Sequence, residues 1–193
     1  EAFPLLERAV ALHRTSPDPG SREAGQALDA LGHLHYQAGD YRAALDAHSE
    51  ALSIFSERYE PDDSLVLFAM NNMAAANAAI GAYDDALRLY EEVLRRRARL
   101  FTDTSELVHV AYNNLGDLRS RMSDYEGSER AFREALRLRR LALPPDHPST
   151  ALTMNNLGTV LTNLGRLEEA EEVHRQAMDI FVRVFGPDHH RVA

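Results

Sequence analysis

Two residue types are missing from this sequence, cysteine and lysine. Without cysteine the chain forms no disulfide, has no thiolate nucleophile and offers no cysteine ligand to zinc. Without lysine all 21 of its basic residues are arginine, so it lacks the amine for Schiff-base chemistry and the lysine of a phosphate-binding loop. Several covalent and nucleotide-dependent mechanisms are therefore excluded for these residues.

Long apolar runs and excess positive charge are missing as well. A membrane-spanning helix needs about 18 or more consecutive apolar residues, and the sequence has no such run, so we expect no membrane association. Acidic residues outnumber basic ones by 30 to 21, and the formal net charge of -9 has the wrong sign for holding nucleic acid or anionic lipid. We expect no nucleic acid among the partners.

What the sequence does contain is typical of a folded chain. Its 193 residues are 45% hydrophobic and 26% charged, a composition that excludes a collagen-like or disordered protein. The chain begins at Glu1 without a methionine, so we expect it to be part of a longer polypeptide. We expect that polypeptide to be cytoplasmic.

A short turn motif recurs every 42 residues, as Gly39-Asp40-Tyr41, Gly81-Ala82-Tyr83, Ser123-Asp124-Tyr125 and Gly165-Arg166-Leu167. The same shift aligns one column of large apolar residues and three of mostly small ones. The large column is Leu31, Met73, Leu115 and Leu157; the others are Gly32/Ala74/Gly116/Gly158, Ala44/Ala86/Ser128/Ala170 and Ala51/Val93/Ala135/Ala177. Because chance would not keep the columns apart over four copies, the sequence predicts a repeat protein.

Each repeat is predicted to be a helical hairpin. In the last complete copy, apolar residues at helical spacing over Ser149 to Asn163 are followed by Gly165, a residue that ends helices in a left-handed conformation. A second apolar face runs from Leu167 to Phe185, and Gly186-Pro187-Asp188 then ends that helix and offers an Asp cap to the next. The small columns let neighbouring helices approach and stack, so we expect an all-α, right-handed α-solenoid of antiparallel helix hairpins.

These motifs resemble the tetratricopeptide repeat. The residues that carry the resemblance are Leu31-Gly32, Gly39-Asp40-Tyr41, Ala44 and Ala51-Leu52. The longer unit resembles the kinesin light chain subtype, whose hallmarks stand here as Asn113-Asn114-Leu115, Asn155-Asn156-Leu157 and the connector Pro145-Asp146-His147-Pro148. The resemblance implies a superhelix that binds proteins and a larger, bacterial-type multidomain parent.

The repeat register predicts a single array over residues 1–193. The array divides into the second helix of a truncated repeat (1–20), four repeats (21–61, 62–103, 104–145 and 146–187) and the start of a further repeat (188–193). Solenoid ends need a polar capping surface that neither partial repeat supplies. We therefore expect the native protein to extend at both ends.

The first helices of stacked hairpins line the concave surface, and the residues just before the core Leu column are predicted to face it. These candidate peptide-binding residues are Asn71, Asn72, Asn113, Asn114, Asn155 and Asn156, with Asp117, Arg121 and Asn163 further along the same surface. Asparagine offers an extended peptide both a donor and an acceptor, and the resemblance implies that Asn72, Asn114 and Asn156 grip peptide. The alternative is that paired asparagines bridge adjacent first helices and bind nothing, which we weigh more heavily for the first of each pair.

The charge of this surface predicts its ligand. A groove that holds a terminal carboxylate needs basic side chains beside the asparagines, and only Arg119 and Arg121 are placed to serve. With Asp29 and Asp117 near the same surface, the groove is predicted to be mixed to acidic. It should prefer an internal peptide or a helix of basic or apolar character.

Arginine-rich runs lie late in two second helices, where the helix dipole favours cations. They comprise Arg95-Arg96-Arg97 with Arg99, and Arg137, Arg139 and Arg140. Glu91 and Glu92 precede Arg95 and Arg96 by four residues, an order that favours pairing. We interpret the runs as a solvated, self-neutralised face; a docking patch for an acidic partner is the alternative.

No pattern among the nine histidines indicates a metal site, because no two stand four apart with an intervening Glu. His147 and His189 lie in connectors, where the preceding Asp is expected to cap the next helix, and His48 and His174 share a column with Tyr90 and Phe132, which predicts packing residues. No catalytic motif is present. We expect no metal, no cofactor and no enzymatic activity.

Three functions fit these observations. The first is a protein-interaction module that binds a peptide or helix of a partner, or of another domain of the same chain, in the concave groove. The second is a sensor segment that regulates a signalling ATPase or a caspase-like protease in a multidomain protein. The third is an architectural or oligomerisation scaffold.

Overall fold

The computed structural model describes residues 2–16, 18–101 and 105–186, and in these ranges it contains nine α-helices and no strand. The helices are α1 (Ala2–Arg14), α2 (Arg22–Gln37), α3 (Tyr41–Arg58), α4 (Ser64–Ala79), α5 (Tyr83–Leu100), α6 (Glu106–Arg121), α7 (Tyr125–Ala142), α8 (Pro148–Asn163) and α9 (Leu167–Phe185). The predicted all-α helical-repeat solenoid is thus confirmed. The Pro187-Asp188-His189-His190 connector and the predicted repeat start at 188–193 lie outside the described residues.

The chain divides into two compact units, Glu1–Val93 and Leu94–Ala193. In the first unit α2 packs along α3, α4 packs against α3, and α1 lies against α2. In the second unit α6 pairs with α7 and α8 with α9, and α7 contacts α8. Consecutive first helices also touch, α2 with α4 and α6 with α8. The division into repeats at 21–61, 62–103, 104–145 and 146–187 stays a prediction.

The four copies of the turn motif share one backbone geometry. The φ angle is 83° at Gly39, 82° at Gly81, 76° at Gly165 and 62° at Ser123. The residue after each donates its backbone N–H to the carbonyl five residues earlier, over 2.9 Å in every copy, which is the bond that closes a helix of the Schellman type. Positive φ is free of steric cost for glycine alone, so Ser123 is the strained copy of the motif.

Short polar side chains cap four of the helix starts. Backbone N–H groups two or three residues on donate to the side chains of Ser21, Asp40, Asp63 and Asp124. At α8 the expectation that Asp146 is the cap is wrong, because the N–H of Ser149 donates instead to the ring of His147 over 3.2 Å. Asp146 stands one residue too early for the cap position, and its carboxylate accepts a 2.7 Å hydrogen bond from Arg183.

The column of Gly32, Gly116 and Gly158 holds the two helices of a hairpin together. A Cβ atom built on these glycines would lie 2.8 Å from the ring of His48, 2.9 Å from Phe132 and 2.6 Å from His174, respectively. Each ring therefore rests on the backbone of its partner helix. These glycines therefore allow a close approach between the two helices of the same hairpin.

Two arginines of the predicted solvated face are in fact buried. Arg97 is 2% exposed and Arg139 is 7% exposed. They stand in the repeat column that begins with Phe55 and ends with Phe181, both of which are core residues. Arg97 donates to the carbonyl of Leu107 over 3.3 Å, and Arg139 donates to the carbonyl of Ser149, ten residues on in both cases. Burial lowers the pKa of both side chains, and the interpretation as a solvated face is wrong for this pair.

The guanidinium of Arg139 anchors a buried polar network in the second unit. Its Nη1 lies 2.5 Å from Thr153 Oγ1, and its Nε donates to His109 Nδ1 over 3.3 Å. Thr153 in turn donates to Asn113 Oδ1 over 2.9 Å. His109 is 1% exposed, and its Nε2 has no hydrogen-bond partner among the described residues. The imidazole is therefore held neutral, with Nδ1 as the acceptor.

Replacing Ser123 by glycine should stabilise the protein by up to about 1 kcal/mol, because it removes the Cβ from a left-handed residue. The expected signature is a higher urea midpoint at unchanged slope. Ser123→Ala is the matched control, since alanine keeps the Cβ and should bring no gain. Equal stability of the Gly and Ala variants would contradict the strain assigned to this turn.

The protein should also lose stability as the pH is lowered, because of the buried His109. Burial lowers the pKa of His109, and the charge of Arg139 lowers it further. The unfolded chain therefore takes up a proton near the ordinary value of about 6.5 while the folded chain does not, and stability is lost as the pH falls below that value. His109→Gln keeps an acceptor for Arg139 but does not titrate, so urea unfolding at pH 7.5 and 5.5 should show a smaller loss in this variant. An equal loss in both proteins would rule His109 out as the source.

Candidate functional site

The candidate site in the first unit is a cleft of about 380 Å³ between the first helices α2 and α4. We call it the first-helix cleft. Its polar lining consists of Gln26, Asp29, His33 and Asn72, and its apolar lining includes Phe55, Leu65 and Phe68. Helical spacing accounts for this set, because Gln26, Asp29 and His33 share one face of α2, and Leu65, Phe68 and Asn72 share one face of α4.

The carboxylate of Asp29 is the electrostatic centre of the cleft. His48 Nδ1 donates to it over 2.8 Å, and the Asn72 amide donates to both of its oxygens over 3.1 and 3.2 Å. Burial of Asp29 alone would raise its pKa, but the hydrogen bonds from His48 and Asn72 outweigh burial and hold the pKa below the ordinary value. Asp29 is therefore a stable negative charge beside the opening.

Asn72 joins the two first helices of this unit. It is half-buried, and its Nδ2 is held by Asp29 on the neighbouring helix, while the same side chain also lines the cleft. One further turn along α2, His33 Nε2 and Gln37 Nε2 lie 2.9 Å apart. Asn72 thus makes the bridging contact between first helices that was the alternative in the sequence analysis, and its role in gripping a peptide stays a prediction.

Phe68 is a residue of the cleft that the sequence analysis missed. Its side chain is 45% exposed and gives the cleft an apolar edge. Gln26 was missed as well. The sequence did contain an indication of Phe68, because it lies four residues before Asn72 and hence on the same helix face.

The second unit carries the corresponding faces of α6 and α8. Asn113 accepts from Thr153, as described above, and Asn155 Oδ1 lies 3.1 Å from His174 Nδ1 on the second helix of the same hairpin. Both residues are the first of their pair, and both make contacts that orient them within the fold. Asn114 and Asn156 are the second residues of these pairs, and both are half-buried.

Two charged residues were predicted to lie on the first-helix face of the second unit, and they form an ion pair with each other. Arg121 Nε donates to Asp117 Oδ2 over 2.9 Å, and both side chains are about half exposed. The half-buried Arg119 has its Nε 3.8 Å from Asp124. Of the other predicted residues, Asn71 is half-buried and Asn163 is exposed. The arginines beside the asparagines therefore have carboxylate neighbours in the chain itself.

Metal sites and membrane spans are absent from residues 2–16, 18–101 and 105–186. Among them no three His, Asp or Glu side chains cluster in a way that would hold a metal ion. No helix in those ranges has both the length and the apolar character that crossing a membrane requires.

Solved structures of several proteins share this fold. BtubC (BKLC) from P. vanneervenii is 25% identical, with a TM-score of 0.81 over 100% of this chain and 77% of that one. A Podosopora anserina protein, described as a kinesin light chain with nearly identical TPR-like repeats, is 17% identical, with a TM-score of 0.80 over 95% of this chain and 87% of that one. A Rap protein complexed with Competence and Sporulation Factor is 16% identical, with a TM-score of 0.77 over 94% of this chain and 48% of that one.

Sequence comparison identifies the family directly. None of the curated protein sequences matches this chain. The tetratricopeptide repeat family, in contrast, matches residues 1–57, 44–99, 107–181 and 149–193. Because these matches cover nearly all of the stacked hairpins described above, the chain belongs to the tetratricopeptide repeat family.

Proposed function

We propose that this chain is a protein-interaction module that binds a segment of a partner protein, or of another domain of the same polypeptide, against its first helices. The observation that carries the proposal is the first-helix cleft, where an ionised carboxylate, an amide and an exposed aromatic ring lie together between α2 and α4. No enzymatic step belongs to the proposal. Recognition rests on shape, hydrogen bonds to the ligand backbone and one apolar contact.

Each side chain of the cleft has a distinct role in this proposal. The Asn72 amide nitrogen is held by Asp29, so the amide oxygen is assigned to a backbone N–H of the ligand. Phe68 supplies the surface for an apolar ligand side chain, because burying such a ring is worth about 1.5–3 kcal/mol. Asp29 favours a ligand with a basic residue nearby, since its carboxylate remains ionised.

The second unit takes the same role through equivalent residues. Asn114 and Asn156 stand 42 and 84 residues after Asn72, and we assign both to the ligand backbone. Asn71, Asn113 and Asn155 orient this surface, and Asn163 extends it. The 2.9 Å pair of Asp117 and Arg121 disfavours a terminal carboxylate as the ligand, because the guanidinium already has an anionic partner.

Proteins of the same fold support binding of a peptide in particular. One Rap protein has been solved with Competence and Sporulation Factor, and the Rap conjugation gene regulator of the plasmid pLS20 has been solved with the Phr* peptide. These chains are 16 and 17% identical to this one, and this chain spans 48% of the length of each. They illustrate what such a fold can hold.

The proposal is tested with peptides selected from a random 12-residue display library against the purified chain. Phe68→Ala should weaken the binding of a selected, fluorescein-labelled peptide by about tenfold, which is typical of losing one apolar anchor. Fluorescence anisotropy gives the affinity. Because Phe68 is exposed, the thermal midpoint of this variant should stay close to that of the parent chain.

Leu12→Ala is the matched control, because Leu12 is 62% exposed and lies on α1, away from the first-helix cleft. It should bind the peptide like the parent chain. Amidating the C-terminus of the peptide should also leave the affinity unchanged. Loss of binding on amidation, or equal binding by the Phe68 and Leu12 variants, would contradict the proposed mode of recognition.

A further inference from the structure

The first unit has a second and larger cleft, of about 610 Å³, on the side of the second helices. It lies between α3 and α5, with α4 as its floor, and we call it the second-helix cleft. Met70 and Met73 of α4 form the floor, and Leu45 of α3 and Leu89 of α5 form the walls. The cleft therefore has an apolar interior that is open to solvent.

The two clefts of this unit use opposite faces of α4. Leu65, Phe68 and Asn72 line the first-helix cleft, whereas Met70, Met73 and Asn77 line the second-helix cleft. At 3.6 residues per turn, the centres of these two sets are separated by roughly 150° around the helix axis. A ligand in one cleft consequently leaves the other cleft open.

The second-helix cleft recurs at equivalent positions of other repeats. Three of its positions, Met70, Met73 and Asn77, recur 42 residues earlier as Leu28, Leu31 and His35, which line a cleft between α1 and α3. Met70 and Met73 recur 84 residues later as Met154 and Leu157, which line a cleft of the second unit between α7 and α9. The hairpin geometry makes the shape, and the side chains at the rim set the charge of each copy.

The rim charge differs between the two units. Around the second-helix cleft of the first unit stand the carboxylates of Asp46, Asp85 and Glu92 with a single guanidinium, Arg88, which donates to Asp85. Around the copy in the second unit stand three guanidinium groups, those of Arg133, Arg137 and Arg140, and two carboxylates. The lining of the second-helix cleft in the first unit thus has two more acidic than basic side chains. In its copy, Arg133 and Arg137 also pair with Glu129 and Glu134 outside the lining, so the charges are nearly balanced, although the apolar floors are alike.

We propose that the acidic second-helix cleft docks an amphipathic helix of a partner protein, with a Leu or Met side chain in the cleft and Lys or Arg side chains on either side. The charge of the rim favours basic flanking residues, because three carboxylates and one guanidinium line it. Two methionines in the floor suit an aliphatic side chain of variable shape, since the thioether chain is flexible and polarizable. Asp85 and Glu92 lie seven residues apart on α5, so the rim is about 10 Å long, which matches two turns of a bound helix.

The five methionines of the chain allow a direct test by NMR with ¹³C-labelled methionine methyl groups. The probe is a 14-residue helical peptide of Leu, Ala and Lys, with Leu on one face, and its counterpart has Glu in place of every Lys. The Lys peptide should shift the Met70 and Met73 methyl signals in a saturable manner and shift Met154 less, because the lining of that copy has no excess of carboxylates. The Glu peptide should leave Met70 and Met73 unshifted. Equal shifts with both peptides, or no shift of Met70 and Met73 with either, would overturn the proposal.

A pair of double variants separates local contact from overall charge. Asp46→Asn with Glu92→Gln removes two rim carboxylates and should weaken the Lys peptide about fivefold, as expected for two rim charge pairs. Glu57→Gln with Glu60→Gln makes the same change in net charge outside the cleft lining. Glu57 lies eight residues beyond Ser49 along α3, about 12 Å away, so this variant should have little effect at 150 mM salt, where the screening length is about 8 Å. Equal weakening in both double variants would overturn the assignment. Phe68→Ala should leave the methionine shifts intact, so a failure here is distinguishable from a failure of the first-helix cleft.

Discussion

In three of the four hairpins, the contact between a glycine of the first helix and a ring of the second helix constrains the rest of the hairpin. At Gly32, Gly116 and Gly158 no Cβ fits beneath the ring, so the ring position is fixed by backbone packing. Whether the ring carries a hydrogen-bond donor then determines which contact holds the nearby polar residue of the first helix. His48 reaches Asp29 and His174 reaches Asn155, whereas Phe132 has no donor and the neighbouring Asn113 accepts from Thr153 instead. Packing inside the hairpin thus positions the polar residues of the first-helix surface.

Two faces of α4 line separate clefts in the first unit. The first-helix cleft is narrow and combines an ionised Asp29 with an exposed Phe68. The second-helix cleft is larger, has a methionine floor, and has an excess of carboxylates in its lining that its copy in the second unit lacks. Because a core position must keep its size but a rim position is free to change its charge, one scaffold forms clefts of similar shape with different rim charges.

The sequence was sufficient for the fold because its periodicity is strong and local. The glycines at 39, 81 and 165 predict the turns, and the apolar spacing predicts the helices. The burial of Arg97 and Arg139 could not be read in this way, because charge and position near a helix end favour exposure, and only the register with Phe55 and Phe181 indicates a core position. The contacts of the candidate site were equally hidden. The hydrogen bonds from Asn72 to Asp29 and from Thr153 to Asn113 join different hairpins, so their partners depend on how the hairpins stack.

The most direct test of this account is the pKa of Asp29, measured by NMR of its carboxyl carbon in the parent chain and in Gly32→Ala. The added methyl group should displace the His48 ring, weaken its hydrogen bond to Asp29 and raise the pKa of that carboxyl from its lowered value. His48→Phe, which copies the Phe132 hairpin without a donor, gives the reference for complete loss of that bond. The account predicts that the pKa in Gly32→Ala moves toward the reference. A Gly32→Ala chain that folds and keeps the lowered pKa would show that hairpin packing does not position the site.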